Sequence, residues 1–303
     1  MAEGCSSVND GGLDFTKYGC PYEDVLRRYK LHKRIGSGGF GDVIEVYHLS
    51  SDGTLMAMKL LRYDHTKTTD DAQKETWNIY KAGQHTNVAI FYDHFPFSPS
   101  HHAITMELFD MDVSGFFQRK ENRVIPLKVD VSLQIATGLA YLHSRKPQIL
   151  HRDIKPQNIL IKIHPETKET IVKLSDFGIS NIIETSGFFE NPTKEQLSNA
   201  IRKLITTVGG RGTQAFLAPE FYAAKDGRGL VNGKFRVDAS VDIFALGLVY
   251  LFIFFYNCND YGKRFLTKCE HYVSLRSSLI QADSIHSYSP SSIFNNKHAE
   301  NIL

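Results

Sequence analysis

Cysteine is scarce in this chain: Cys5, Cys20, Cys258 and Cys269 are the only four in 303 residues. None forms a CxxC pair, and the spacing is too open for a disulfide framework. The expectation is free thiols in a reducing compartment, hence a cytoplasmic protein. An excess of charge of one sign is lacking as well. Thirty-five Lys and Arg stand against 33 Asp and Glu, for a formal net charge of +2. That balance gives no reason to expect nucleic acid as a partner. The first residues, Met-Ala-Glu-Gly-Cys-Ser-Ser, do not place a basic segment before an apolar one, so no secretory signal is visible. Long apolar runs are absent except at 241–256. That run is short for a membrane span and carries Asp242 near one end, so it reads as a buried core helix, with no membrane partner.

What is present is an ordinary globular composition, 42% hydrophobic and 22% charged, in a chain long enough for one bilobed domain or two small ones. Residues 1–28 carry no sustained period and read as a flexible arm. From Tyr29 the residues alternate like a strand as far as Ile35. Gly36-Ser37-Gly38-Gly39-Phe40-Gly41 follows, then a β-rich run over 43–49, the turn signal Asp52-Gly53, and a third strand over 55–61. The glycines at 36, 38 and 41 let backbone N–H groups approach phosphate oxygens with no Cβ in the way. A plain glycine-rich hairpin would look similar. Lying between two strands rather than before a helix, the motif argues against a dinucleotide fold and for a hairpin lid over a nucleotide.

Lys59 sits in an apolar strand, where burial without a partner would be costly. Its candidate partner is Glu75 in a predicted helix over 71–82; the bland alternative is a surface lysine and a solvated glutamate. Two further strands, 85–93 and 101–108, complete a five-stranded sheet with one helix, an N-lobe over 29–106. A connector over 107–112 follows, and the backbone around Met106, Glu107 and Phe109 can read an adenine edge. Helices over 113–121 and 127–144 open a mainly helical C-lobe over 113–256, the second with Val131, Ile135, Leu139 and Leu142 on one face.

The stretch His151-Arg152-Asp153-Ile154-Lys155-Pro156-Gln157-Asn158 places a carboxylate, an ammonium and a carboxamide in one short loop before an apolar strand. A base, a phosphate-neutralising cation and a metal ligand from one loop suit phosphoryl transfer, which runs on positioning and charge neutralisation. Asp176-Phe177-Gly178 comes just past a predicted strand over 171–174. Two nearby carboxylates, Asp153 and Asp176, would repel each other in a low-dielectric cleft, and a divalent metal relieves that.

Taken in order, Gly36-x-Gly38-x-x-Gly41-x-Val43, Ala57-x-Lys59, His151-Arg152-Asp153-x-Lys155-x-x-Asn158, Asp176-Phe177-Gly178 and Ala218-Pro219-Glu220 resemble the eukaryotic protein kinases across residues 29–256. The resemblance implies an α+β bilobed fold, ATP and Mg²⁺ as cofactors, and a protein substrate. It implies that Asp153 takes the acceptor proton and Lys155 stabilises the γ-phosphate. Asn158 and Asp176 would hold Mg²⁺, and Lys59 with Glu75 would position the α- and β-phosphates. Val43, Ala57 and Leu160 would enclose adenine. Ile79, Phe91, His151 and Phe177 would form the family's regulatory stack.

Lys155 and the Gly212-Thr213 step, a substrate platform, resemble the serine/threonine branch. Arg152 suggests a positive pocket for an activation-segment phosphate. The segment 176–220 is long and carries Thr185, Ser186, Thr193, Ser198, Thr206 and Thr207, with an added helix expected over 191–205. Within the family, the hairpin over 163–172 and the run 241–247 resemble the unfolded-protein-response sensors, which join a kinase to an endoribonuclease, here without the ribonuclease domain. After residue 256 the pattern fades. Residues 257–303 read as a divergent tail and the C-lobe as truncated, with Arg276 a weak partner for Glu220. A homodimer stays open. The competing reading is a nucleotide-binding pseudokinase that signals through assembly.

Overall fold

The computed structural model describes residues 18, 21–38, 41–50, 53–62, 82–176, 181–183, 216, 218 and 238–255. The chain enters through a short helix, α1 (Glu23–Arg28), and runs into the strands β1 (Tyr29–Gly38), β2 (Gly41–His48), β3 (Thr54–Arg62), β4 (Phe91–Ser98) and β5 (His101–Glu107). These form one antiparallel sheet in the order β1-β2-β3-β5-β4. Strand side chains alternate between faces, and the buried sets divide accordingly. Met56, Met58 and Leu60 of β3 join Ile44 and Val46 of β2 in one cluster, with Phe95, Phe97 and Ala103. On the other face Leu61 and Ile104 pack into the larger cluster shared with the C-lobe.

Two sequence expectations change here. The segment 1–28, expected as an arm, supplies part of the first cluster: Tyr18 and Val25 are buried, and Tyr22 N–H donates to Phe97 O at 2.9 Å. The reason is that the outer face of the sheet is apolar and needs cover, a demand set by distant strands that six residues of helix do not announce. The fourth strand is Phe91–Ser98, not 85–93. Residues 87–89 are taken by the C-lobe instead: Ala89 N–H donates to Leu174 O at 2.9 Å and Leu174 N–H to Asn87 O at 3.0 Å. Pro96, lacking an N–H, is tolerated because β4 is an edge strand.

Beyond β5 the chain forms β6 (Met111–Asp112), α2 (Val113–Gln118), a 3₁₀ turn (Lys120–Asn122), α3 (Ile125–Ser144), β7 (Gln148–Leu150), a second 3₁₀ turn (Pro156–Asn158), β8 (Ile159–Ile163), β9 (Thr170–Leu174), β10 (Asn181–Ile183) and α4 (Ser240–Phe255). The irregular link between lobes is therefore 108–110. Glu107 ends β5, and 111–112 pairs with β8. Asp112 caps α2, its Oδ1 accepting from Gly115 N–H at 2.7 Å. The buried face of α3 carries Val131, Ile135, Leu139 and Leu142, the set expected from periodicity. Gly138 lies where α3 meets the Asn87 backbone; a Cβ there would stand 2.5 Å from Asn87 O. No described helix is long and apolar enough to cross a membrane. The run expected as a core helix is α4, which buries Val241, Ala245, Val249, Phe252 and Ile253 against α3. Lys128 of α3 donates from Nζ to Phe254 O at 2.9 Å, satisfying a carbonyl of its last turn.

Candidate active site

The loop between β7 and β8, residues 151–158, is held from beneath by one side chain. Asp242, near the start of α4, is 0% exposed. Its Oδ2 accepts from His151 N–H at 2.8 Å and bonds His143 Nε2 at 2.8 Å, and its Oδ1 accepts from Arg152 N–H at 2.7 Å. Arg152 takes a left-handed backbone conformation, φ 67°, which aims two successive N–H groups at that carboxylate. From the side, His151 Nε2 donates to Ser175 O at 2.9 Å. The opposite ring nitrogen, Nδ1, accepts from Asp153 N–H at 3.3 Å, so the ring carries its proton on Nε2.

On this support Asp153, Lys155 and Asn158 converge. Lys155 Nζ donates to Asp153 Oδ2 at 2.6 Å, and Asn158 Nδ2 donates to the same oxygen at 2.7 Å and to Asp153 O at 2.9 Å. Both side-chain bonds fall on Oδ2. Among the described residues Oδ1 takes none, and it is the oxygen available to a substrate proton. Burial pushes the Asp153 carboxyl above its ordinary value, opposed by the Lys155 ammonium and reinforced by the Asp176 charge. A raised carboxyl is a better proton acceptor than an ordinary one.

Asp176 follows β9 in a left-handed conformation, φ 64°, a region that Asp enters more readily than most residues. Its Oδ1 accepts from Lys59 Nζ at 2.9 Å. Burial alone would raise the Asp176 carboxyl; the Lys59 ammonium and its hydrogen bond outweigh that and hold it below the usual range. Lys59 is thus paired across the cleft with Asp176. Glu75, the expected partner, lies outside the described residues, as do Ile79, Phe177, Gly178, Thr213, Glu220, the helix over 191–205 and the tail over 257–303.

The lid residues Gly36, Ser37 and Gly38 end β1, in register with Val43, Asp42 and Gly41 of β2; Gly39 and Phe40 lie outside the described residues. Gly41 has φ +124°, and a Cβ on it would fall 2.0 Å from Leu60 O. Gly41→Ala should therefore force β2 off β3 and weaken ATP binding at least about tenfold, read by titration calorimetry. Val43 lies opposite Lys59, and Ala57 opposite Met106, so three strands bring the expected adenine and phosphate contacts to the cleft face. Leu160 approaches from β8, opposite Lys173 and Asp112. Phe109 is half-buried just past β5.

Glu107 has a role that the sequence reading missed. Its Oε1 accepts from Lys173 Nζ at 2.8 Å and from Ile90 N–H at 2.7 Å; Oε2 accepts from Lys173 Nζ at 3.0 Å. Its own N–H is committed to Ile90 O at 3.0 Å. Glu107 and Lys173 tie β5 to β9, one from each lobe. The available signal was a lone lysine in an apolar strand, the same signal that singled out Lys59. Asp242 gave a similar one as the single charge in its helix, and there too the buried partner went unread.

A model of the protein kinase domain matches residues 29–287. The chain belongs to the protein kinase family. The matched span begins where the sequence analysis placed the start of the domain and runs past residue 256. Human serine/threonine-protein kinase tousled-like 2 is 26% identical over 248 residues, covering 78% of this chain and 28% of the relative. The serine/threonine-protein kinase/endoribonuclease ire-1 of Caenorhabditis elegans is 28% identical over 232 residues, 76% of this chain and 21% of the relative. A probable serine/threonine-protein kinase, fhkB of Dictyostelium discoideum, is 30% identical over 203 residues, covering 63% and 17%. The chain spans less than a third of the length of these relatives.

Kinases of this family use ATP and Mg²⁺, and the residues present fit both. No group of three or more His, Cys, Asp or Glu that could hold a metal ion occurs among the described residues. Mg²⁺ does not need one: one or two carboxylates plus phosphate oxygens suffice. Asn158 commits its amide nitrogen to Asp153, which turns its carbonyl oxygen into the ligand end. Asp176 carries the low-pKa carboxylate that a hard cation prefers.

Proposed function

We propose that this kinase domain transfers the γ-phosphoryl group of ATP to serine and threonine hydroxyls of protein substrates. The observation that carries the reading is the convergence of Asp153, Lys155 and Asn158 on one buried carboxylate oxygen, with Lys59 and Asp176 paired beside them. In the step itself the acceptor oxygen forms a bond to the γ-phosphorus as the bond from that phosphorus to the β–γ bridging oxygen breaks. The hydroxyl proton goes to Asp153 Oδ1, and ADP leaves with the bridging oxygen. Lys155 stands on the other oxygen of Asp153, close enough to stabilise charge on the transferring group. Lys59 neutralises the α- and β-phosphates. Asn158 and Asp176 would hold Mg²⁺, which supplies charge neutralisation at the phosphate oxygens.

With its N–H and carboxylate both committed within the protein, Glu107 leaves much of the base reading to the backbone of 108–110. Val43, Ala57 and Leu160 enclose the base. Arg152 supports regulation by a phosphate on segment 176–220. The residue is half-buried, desolvation pulls its guanidinium down to about 10 against the pull of Asp242, and its enclosed Nε makes no hydrogen bond among the described residues.

The test is phosphoamino-acid analysis of a basic acceptor protein after incubation with Mg²⁺ and γ-labelled ATP. Label on serine or threonine is expected. Label on tyrosine would overturn the branch assignment. ATP binding without transfer would leave the nucleotide-binding scaffold.

A further inference from the structure

The lid's return arm begins at Gly41 and Asp42. Gly41 leaves no room for a Cβ beside the Leu60 carbonyl, and Asp42 lies in register between Ser37 of β1 and Leu60 of β3. Because Val43 shares the cleft face with Lys59, alternation sends Asp42 to the opposite face with Ile44 and Val46. That outer face is where Tyr18, ahead of α1, packs. There Tyr18 OH donates to Asp42 Oδ2 at 2.6 Å.

Tyr18 is well placed to act as an anchor. It is 3% exposed, and its ring stands edge-on to His101, with centroids 5.5 Å apart. Its carbonyl accepts from Ser98 Oγ at 2.6 Å and from Ser100 Oγ at 3.2 Å, both at the β4–β5 turn. One residue, fixed at one side of the sheet, therefore reaches across to the base of the lid on β2. On Asp42 itself, Arg34 Nη1 lies 3.9 Å from Oδ1, a looser contact on the more exposed side.

We propose that Tyr18 is a positioning residue for ATP: through Asp42 it holds the arm of the glycine lid down, so that the segment before the kinase domain forms part of the nucleotide site. The inference rests on the nucleotide-binding reading above. Tyr18 touches no reacting atom, so its effect belongs to ATP affinity and not to the chemical step. An arm freed from Tyr18 samples raised positions, and the fraction of lids in the closed geometry falls. Apparent affinity falls with that fraction.

Tyr18→Phe isolates the bond, because it keeps the ring against His101 and the backbone carbonyl on both serines. ATP affinity by calorimetry, kcat and KM for ATP, and Tm would be measured for the full chain, Tyr18→Phe, Asp42→Ala, the double variant and Asp42→Asn. Tyr18→Phe and Asp42→Ala should each weaken ATP about five- to tenfold, within the range of a typical lost hydrogen bond. The double variant should be no weaker than the singles, because both remove the same bond. Asp42→Asn, which keeps an acceptor oxygen, should stay within about twofold of wild type. For Tyr18→Phe, kcat at saturating ATP should hold while KM rises. Unchanged ATP affinity in Tyr18→Phe, or additive losses in the double variant, would overturn the proposal even if Tm fell, since Tyr18 would then be packing only. Failure of the wild-type chain to bind ATP would overturn the nucleotide reading, and this inference with it.

Discussion

Asp242→Ala should lower stability by about 3–5 kcal/mol and silence phosphoryl transfer, although Asp242 touches neither nucleotide nor acceptor. Two backbone N–H groups, of His151 and Arg152, and the ring of His143 all end on its two oxygens. With the carboxylate removed, each buried donor keeps its desolvation cost of about 1–3 kcal/mol unless water enters the gap. The left-handed backbone at Arg152 loses the contacts that fix it, and the loop carrying Asp153 and Lys155 loses its floor. Asp242→Asn should fall between the two: it keeps one acceptor oxygen but points an NH₂ at a donor. Thermal denaturation separates the three proteins, with Asp242→Ala lowest and a fall on the order of 10 °C. Equal melting temperatures for wild type and Asp242→Ala would contradict this account.

Lys59→Met should cut the transfer rate by about 10²–10³, the usual scale for removing one electrostatic stabiliser from a water-excluded site. The methionine keeps most of the aliphatic stem, so the sheet should stay folded. Two losses combine. In the proposed mechanism the α- and β-phosphates lose their cation, and Asp176 loses the ammonium that holds its carboxyl low. The second loss also shows in stability against pH. A carboxyl depressed in the folded state contributes stability that is fully present above its unfolded value of 3.8 and disappears as pH falls through the folded one. Wild type should therefore exceed Lys59→Met most clearly above pH 3.8, and the gap should close in acid. A gap that widened in acid would show that Lys59 does not stabilise the Asp176 carboxylate.

The proposed chemistry can be read from the sequence because phosphoryl transfer needs particular groups within a few residues of each other. Asp153, Lys155 and Asn158 satisfy one another inside a single loop, so the spacing alone brings these three groups together. Lys59 was legible as a charge in an apolar strand, and the face of α3 as a 3.6-residue period. What escaped were contacts whose partners lie far apart in the chain. Asp242 holds the backbone of His151 and Arg152, and Glu107 meets Lys173; no short pattern encodes either pairing. Strand β4 was misplaced for the same reason, since residues 87–89 look strand-like but bond to Leu174 in the other lobe. Helix α1 and Tyr18 look like part of an arm in the sequence because their cover is needed by the outer face of the sheet, not by their own residues.

In the proposed mechanism Asp153 accepts the proton of a hydroxyl attacking ATP. The most direct measurement is incorporation of γ-label into acceptor protein, with Mg²⁺ and saturating ATP, by wild type and by Asp153→Asn in parallel with their ATP affinities. The substitution keeps the shape and an acceptor oxygen but takes away the base. Incorporation should fall by about 10²–10⁴ in the variant while ATP affinity stays within about threefold. Equal incorporation by the two proteins, both binding ATP, would place the chemistry elsewhere.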